Sequence, residues 1–426
     1  MAEMKDSGIE WIGMIPKNWN ADKIKYHLKR NEPKNPGNVE VLSVYREYGV
    51  IPKNSRDDNH NITSEDTSKY KYVKKGDLVI NKMKAWQGSM GVSEYEGIVS
   101  PAYFIYNFTD NYLDKKYFHF LIRNCYKDEF RRISGGIREG QWDLSADLFA
   151  DELVLVPPIK EQIKIVEFLN TKCAEIDTLY SDIEKQIDIL EEYKKSIITE
   201  AVTKGLDPDV EMKDSGIEWI GMIPKNWNIS RLKYELETSM KYGASEAGVE
   251  YSDDLPRYIR ITDITNNNRL KTGGKLSLTE KQANGYMLEK DTVLFARSGG
   301  TVGKTFLYKP EYGKAAFAGY LISAIPDKEK MQAEWLYYFS LSNAYWDWVN
   351  QIFTQATIQN IGADKYSNLP IPIPLINIQN AIVNYLNKKC AEIDYIITDK
   401  KKQLETLEQY KKSLIYEYVT GKKEVK

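Results

Sequence analysis

The sequence predicts an α+β protein in which two pseudo-symmetric, mixed α/β domains are separated by two long helices packed as a coiled coil. Three observations predict it. The segment Met4–Asn20, MKDSGIEWIGMIPKNWN, recurs without a change as Met212–Asn228, at an offset of 208 residues. A second repeat, at an offset of 217, matches Lys172–Asp177 to Lys389–Asp394 and Tyr193–Ser196 to Tyr410–Ser413. Between these constant pieces lie two divergent bodies, residues 21–155 and 229–372, and each is followed by a long 3-4 apolar repeat. A repeat of this kind marks a structural unit used twice.

Taken in order, each half opens on the constant segment and passes into its body. In the first body, Val39–Tyr45, Asp77–Ile80, Ile98–Tyr106 and Leu153–Val156 are short β-rich runs broken by Gly, Pro and Asn. Their counterparts are Tyr258–Ile264, Thr292–Ala296, Ala316–Ile325 and Asn368–Ile373. One aromatic, helix-like segment follows in each body, Lys115–Phe130 and Ala333–Phe353. In the first tail, Leu169, Cys173, Ile176, Tyr180, Ile183, Ile187, Leu190 and Ile197 alternate spacings of three and four, with a gap at Lys194. Leu386, Cys390, Ile393, Ile397, Leu404, Leu407 and Leu414 repeat the pattern in the second, with Lys400 and Lys411 interposed. Such a narrow seam, flanked by charges, buries itself against another helix, the alternative being two separate amphipathic helices each packed on its own domain. A helix over 160–203 would be about 66 Å long at ~1.5 Å per residue, too long to cap one domain. Gly205 and Pro208 end it. The resulting bounds are 1–157 and 208–372 for the domains, 158–207 for a central spacer helix and 373–426 for a C-terminal one.

Composition narrows the class. A chain of 426 residues exceeds one ordinary domain of roughly 100–200 residues, and 42% hydrophobic with 12% aromatic residues supplies packed cores. Tyrosine is abundant, 30 residues, mainly in the two bodies. Cys125, Cys173 and Cys390 cannot make a disulfide framework, so a reducing cytoplasm is expected; Cys173 and Cys390 occupy seam positions as small buried hydrophobes. No apolar run approaches the roughly 20 residues of a membrane span.

Several catalytic look-alikes fail on spacing. In Gly299-Gly300-Thr301-Val302-Gly303-Lys304-Thr305 only three residues separate the first glycine from the Gly-Lys pair, where a phosphate-binding loop needs four. The following Phe306–Pro310 reads as strand, so no helix N-terminus is available to a phosphate. Pro208-Asp209 with Glu211-Met212-Lys213 has the letters of a nuclease site but no room between them for two strands. His27, His60 and His119 are scattered, without Cys or Ser partners. No catalytic, cofactor-binding or metal-binding residue is therefore assigned, and the chain is read as non-catalytic.

The charge total, 59 basic against 61 acidic residues, is a misleading average. Residues 69–91 carry six lysines against one acid, interleaved with Tyr70, Tyr72 and Trp86; residues 257–314 carry eleven basic against five acidic residues; the first tail helix is net acidic. Basic patches with interleaved aromatics and amides fit phosphate contact plus base-edge reading on DNA. Lys82, Lys84, Trp86, Gln87 and Ser89 are expected on an exposed loop after a strand, with Arg138, Glu139, Gln141 and Trp142 on a second. In the second body the loops would carry Arg297, Ser298, Thr301 and Lys304, then Gln355, Thr357, Gln359 and Asn360, with Arg260 nearby. Arg and Lys can take guanine and Gln and Asn adenine in bidentate fashion.

The arrangement resembles the specificity subunit of type I restriction–modification systems. The resemblance rests on Ser7–Trp19, repeated at 215–227, on Pro157-Pro158-Ile159-x-x-Gln162 opening the first spacer helix, and on Val202-Thr203-Lys204-Gly205 at its end. Lys82–Gly88 with Ser100–Tyr103, and Tyr258–Ile264 with Arg297-Ser298-Gly299, are similar to target-recognition-domain motifs. The second spacer departs slightly, opening Pro374-Leu375-Ile376-x-x-Gln379. The resemblance implies two target recognition domains, each reading half of a bipartite, asymmetric site on double-stranded DNA. It implies an antiparallel helix pair that sets the unread gap, with Ile176, Ile183, Ile187, Leu190, Ile393, Ile397, Leu404 and Leu407 in its seam. It also implies two methyltransferase subunits docked on this scaffold for adenine-N6 methylation, and motor–nuclease subunits where a system has them. Adenosylmethionine, ATP and Mg would then bind those partners and not this chain. The rival readings are a coiled-coil adaptor carrying carbohydrate- or peptide-binding modules, and a self-sufficient nuclease or methyltransferase.

Overall fold

The computed structural model describes residues 3–37, 39–46, 48–56, 66–136, 142–265, 268–354 and 360–425. The chain divides into two units, residues 1–183 with 402–426, and residues 184–401. Both are built around a four-stranded antiparallel sheet of the same order. In the first unit the order is Leu28–Asn31, Tyr103–Phe108, Leu78–Asn81, Met90–Val92. In the second it is Lys241–Tyr242, Leu321–Ala324, Val293–Ala296, Thr305–Leu307. A two-stranded ribbon closes each body, Asn20–Lys23 with Leu153–Val156 and Asn228–Arg231 with Pro370–Ile373. Pro370 and Pro372 are tolerated there because a ribbon leaves half of its amides unpaired in the ladder.

Five expected elements are split: Ala316–Ile325 into the strands Ala315–Phe317 and Leu321–Ala324, Lys115–Phe130 into the helices Lys115–Cys125 and Lys127–Arg132, and three more for an evident local reason. Ile98–Tyr106 becomes Gly97–Val99 and Tyr103–Phe108, in different sheets, interrupted at Pro101, which has no amide to donate. Tyr258–Ile264 stops as strand at Ile259, because Asp263 turns back to accept the Arg260 amide at 2.8 Å. Ala333–Phe353 is two helices, Ala333–Leu341 and Asn343–Thr354, since Ser342 accepts the Tyr345 amide and caps the second.

The glutamine of each spacer opening is a clamp. Gln162 is fully buried; its Oε1 accepts the Asp114 amide at 2.7 Å and its Nε2 donates to the Tyr112 and Pro157 carbonyls, both at 2.7 Å. Gln379 does the same for the Gln332 amide and the Lys330 and Pro374 carbonyls. One amide side chain thereby satisfies three backbone groups where helix start, strand end and aromatic helix meet, so the second spacer's altered prolines leave the joint intact.

The long helices are Ile159–Lys204 and Ile376–Val419. Ile176, Ile183, Ile187, Ile393 and Ile397 are buried, while Leu190, Leu404 and Leu407 are half-buried. The lysines that interrupt the seam reach the facing helix. Lys194 Nζ meets Asp394 at 2.7 Å in the second unit, and Lys411 Nζ meets Asp177 at 2.6 Å in the first. These pairs are the same pair in the two copies, offset by 217. Gln186 with Lys400 and Lys194 with Asp394 show the helices running antiparallel.

The opening segments pack crosswise with the tails. In the first unit Trp19 is buried and packs near Gly421, at the end of the second long helix, where a Cβ would lie 2.5 Å from Pro16. Lys422 Nζ donates to the Ile12 and Met14 carbonyls, and Tyr117 donates to the Val419 carbonyl at 2.8 Å. In the second unit Trp227 packs on Gly205, which ends the first long helix at φ +80°. Two identical segments thus find two similar helix ends, Val202–Gly205 and Val419–Gly421. One position differs: Glu161 accepts from Trp19 Nε1 at 2.7 Å and Asn18 Nδ2 at 2.6 Å, where the second copy has Ile378 packed on the core.

Part of the tyrosine excess serves packing. Tyr117, Tyr126, Tyr345 and Tyr366 are fully buried, and each hydroxyl donates to a backbone carbonyl. His119 is a half-buried polar group. Its Nδ1 accepts the Val92 amide at 3.0 Å, and burial, with Arg123 and Lys116 adding repulsion, pushes it down to about 4 from 6.5. The unfolded chain then binds more protons than the folded one between those values. First-unit stability should therefore be flat above about pH 6.5 and fall as pH drops toward about 4. In His119→Gln that slope should flatten, read as the pH dependence of the thermal midpoint; an unaltered slope would assign it elsewhere.

Candidate nucleic-acid interface

Of the residues expected at the interface, those that the structure describes, Arg260 apart, lie on two loops that meet as a knot in each unit. Each knot begins where the central strand ends. The loops Lys82–Ser89 and Arg297–Lys304 close alike: Gly88 and Gly303 sit at φ +89° and +86°, and Asn81 and Ala296 donate their amides to the Ser89 and Lys304 carbonyls, while inside the loops Gly299 lies at φ +75° where Lys84 lies at −126°. The second loop of each body is then drawn against the first. Leu144 N donates to the Lys82 carbonyl at 2.9 Å, and Ile361 N donates to the Arg297 carbonyl at 2.8 Å. Lys82 therefore corresponds to Arg297, and Asp143 to Asn360.

The side chains on these loops differ. In the first unit Lys82 Nζ is half-buried in an ion pair with Asp143 Oδ2 at 2.7 Å. Trp86 donates its Nε1 to the Met83 carbonyl and lies 5.7 Å from Trp142, ring to ring. Gln87 accepts from Arg46 at 2.8 Å, and Lys84 is exposed. Ser89, expected on the exposed loop, is instead buried, because the turn at Gly88 brings it back beside Asn81 at the start of the strand Met90–Val92. Much of the first basic run is also neutralised by acids distant in sequence: Lys71 by Glu32 at 3.0 Å, Lys75 by Glu94 at 3.4 Å and Lys82 by Asp143. Lys71, and then Arg30, hold the Glu32 carboxyl below its usual value.

In the second unit the Arg297 guanidinium lies 4.8 Å over the Tyr242 ring. Among the described residues, Arg297 Nε, Thr301 Oγ1 and Asn360 Oδ1 are buried atoms without a hydrogen-bond partner. Ser298 bridges to Asn360 as a β-pair, and Lys304 is half-buried at the end of the loop. Arg260, by contrast, is consumed by its own turn: it pairs with Asp263 at 2.8 Å and donates to the Gly274 carbonyl at 2.9 Å. Beside this knot lies an open concavity of about 840 Å³, lined among others by Ser245, Glu246, Arg260, Arg297 and Tyr320. The Tyr320 ring is 61% exposed in the turn between two strands.

Arg138, Glu139, Gln141, Gln355, Thr357 and Gln359 lie outside the described residues. Sequence reasoning missed Asp143, Tyr242 and Tyr320. Asp143 stands next to Trp142, but its partner is 61 residues away, and only the loop-to-loop hydrogen bond joins them. Tyr242 could have been suspected from Gly243, where a Cβ would sit 2.3 Å from the Phe317 carbonyl oxygen. That glycine lets the edge strand press into the sheet and carries Tyr242 to Arg297. No group of metal-ligating side chains occurs among the described residues, and no described helix is long and apolar enough to cross a membrane.

Residues 224–406 match a family model described as the type I restriction modification DNA specificity domain. The type I restriction enzyme MjaVIII specificity subunit of Methanocaldococcus jannaschii is 24% identical, over 97% of this chain and 94% of its own length. The EcoDI specificity subunit of Escherichia coli is 21% identical over 73% of this chain and 71% of its own. In fold, the chain is similar to one from a solved type I R-M system, with a TM-score of 0.70 at 13% identity, covering 95% of this chain and 98% of that one. The HsdS subunit of Thermoanaerobacter tengcongensis follows at a TM-score of 0.51, covering 96% and 98% at 13% identity.

Proposed function

We propose that this chain, which belongs to the family of type I restriction–modification specificity subunits, reads a bipartite, asymmetric DNA site and performs no chemistry of its own. The observation that carries the reading is one loop closure used twice with different side chains, Lys82 with Asp143 in one domain and Arg297 with Asn360 in the other. Equivalent loops that differ at their tips are what two half-sites of different sequence require, since base edges are distinguished by donor and acceptor pattern. The recognition domains are residues 1–157 and 208–372. The helices of 158–207 and 373–426 act as the spacer that sets the gap.

Two methyltransferase subunits would dock on this frame and bring adenosylmethionine, with the target adenine flipped into their pockets. Motor–nuclease subunits, where present, would bring ATP and Mg. Repeated exposure along the helices supports two equivalent docking positions: Leu179 and Ile396 are 50% and 43% exposed, and Tyr193 and Tyr410 are 55% and 54% exposed, each pair offset by 217.

The test is methylation mapping of DNA from cells carrying this chain with its methyltransferase. The expected result is a two-part adenine motif with a fixed gap. A purified complex should also bind duplex DNA with an affinity that falls steeply with salt. Salt-independent binding would favour the adaptor reading, and turnover of adenosylmethionine by the chain alone would sink the non-catalytic one.

A further inference from the structure

The two knots differ in a way that assigns chemistry to one of them. Lys82 and Arg297 occupy the same place in loops closed by the same hydrogen bond, each with its carbonyl accepting an amide from the second loop. Opposite Lys82 stands a carboxylate, and the ion pair is closed at 2.7 Å. The residue that corresponds to Asp143 is a neutral amide, Asn360, β-paired with Ser298, and neither the Asn360 Oδ1 nor the Arg297 Nε has a hydrogen-bond partner among the described residues. Thr301 Oγ1, in the same loop, is a third such atom. Buried polar atoms without partners are rare in folded chains, and a cluster of them marks a place completed by something else.

The guanidinium is also oriented. It stacks at 4.8 Å over Tyr242, whose hydroxyl accepts the Ala363 amide at 2.9 Å, so the ring is tied to the segment that follows Asn360. A planar fork placed over an aromatic ring suits bidentate recognition, of a phosphate or of a base edge. Among the base edges of duplex DNA, the one that takes such a fork is O6/N7 of guanine.

We propose that Arg297, held in place by the positioning residue Tyr242 and flanked by Asn360, reads a guanine in the half-site of the second recognition domain. The first domain has no such reader at the equivalent position, because Asp143 neutralises Lys82. This inference rests on the reading that the chain recognises duplex DNA.

The test uses the complex of the full chain with its methyltransferase and a duplex bearing the mapped motif. Each guanine of the second half-site is replaced in turn by 7-deazaguanine, which lacks N7 and so removes one arm of a bidentate contact. At one position the wild-type complex should lose affinity by roughly 10-fold to 150-fold, the range for one hydrogen bond from a charged donor. Arg297→Ala should be indifferent to that replacement, and so should Asn360→Asp, which copies the first domain's closed pair. Tyr242→Leu should relax the same position of the methylated motif and no other, whereas general damage to the fold would weaken both half-sites together. Asp143→Asn should leave the second half-site unchanged. A wild-type complex indifferent to 7-deazaguanine throughout the second half-site overturns the assignment whatever the variants do. So does an Arg297→Ala complex that keeps the wild-type sensitivity. Absence of any two-part motif in wild-type cells would instead sink the reading on which the assignment rests.

Discussion

Seven residues inserted into each long helix at facing positions will lengthen the unread gap of the methylated motif by about three base pairs and leave both half-sites as they are. Facing positions are those between Ile183 and Ile187 and between Ile397 and Leu404, since Lys400 reaches Gln186 across the pair. Seven residues are close to two helical turns and add about 10.5 Å, the span of roughly three base pairs at ~3.4 Å each. The number matters because the seam repeats on a 3.5-residue average. Seven residues return Ile187 and Leu190 to the same face, and they leave the ion pairs Lys194–Asp394 and Lys411–Asp177 with their partners. Five residues would rotate the seam by about 140° at ~3.6 residues per turn and expose it. The measurement is methylation mapping, and a lengthened pair that still methylates the original gap would remove the ruler role.

Trp335→Ala should cost the second unit about 3–5 kcal/mol, the largest stability effect of any single substitution considered. Trp335 is fully buried, sits edge-on to Trp227 at 5.6 Å, and donates its Nε1 to the Pro372 carbonyl at 3.0 Å. Truncation leaves a cavity at the joint of opening segment, aromatic helix and ribbon, and it orphans a carbonyl in a strand whose prolines already lack donors. Hydrogen exchange read by mass spectrometry should show protection lost across the second unit, residues 184–401, with the sheet of the first unit spared. Loss of protection worth less than about 1 kcal/mol would mean that the joint is not where this unit's stability resides.

Much of the molecule is legible in the sequence because it was written twice. Identity over Met4–Asn20 and Met212–Asn228 fixes equivalent surfaces, and the 217-residue offset fixes equivalent helices. The apolar period of the tails predicts their burial directly, since a 3-4 spacing has one face whatever it packs on. The lysines at 194, 400 and 411 looked like flaws in that seam. They are its cross-helix contacts, with Asp394, Gln186 and Asp177, and a polar residue at a seam position specifies register.

The recognition loops were only partly legible. Local signals located Lys82 and Arg297 after their strands, because Gly88 and Gly303 announce a turn. They could not tell which cation was free. Lys82 and Arg297 read alike in one dimension, and the carboxylate that closes the first lies 61 residues downstream. Ser89 was misplaced for the same reason: a polar residue beside a glycine reads as exposed until the turn's direction is known.

By itself, then, the sequence determined the duplication, the helical spacers, the α+β class of the bodies and the family resemblance. All of these follow from identity, period and turn chemistry within short windows. Only the tertiary structure decided that the first opening segment rests on the end of the second helix, through Gly421 and Lys422, and that Arg297 is left open where Lys82 is closed. Those outcomes depend on side chains that meet across sheet pairing and chain reversal, and no local propensity encodes which distant residue will stand opposite.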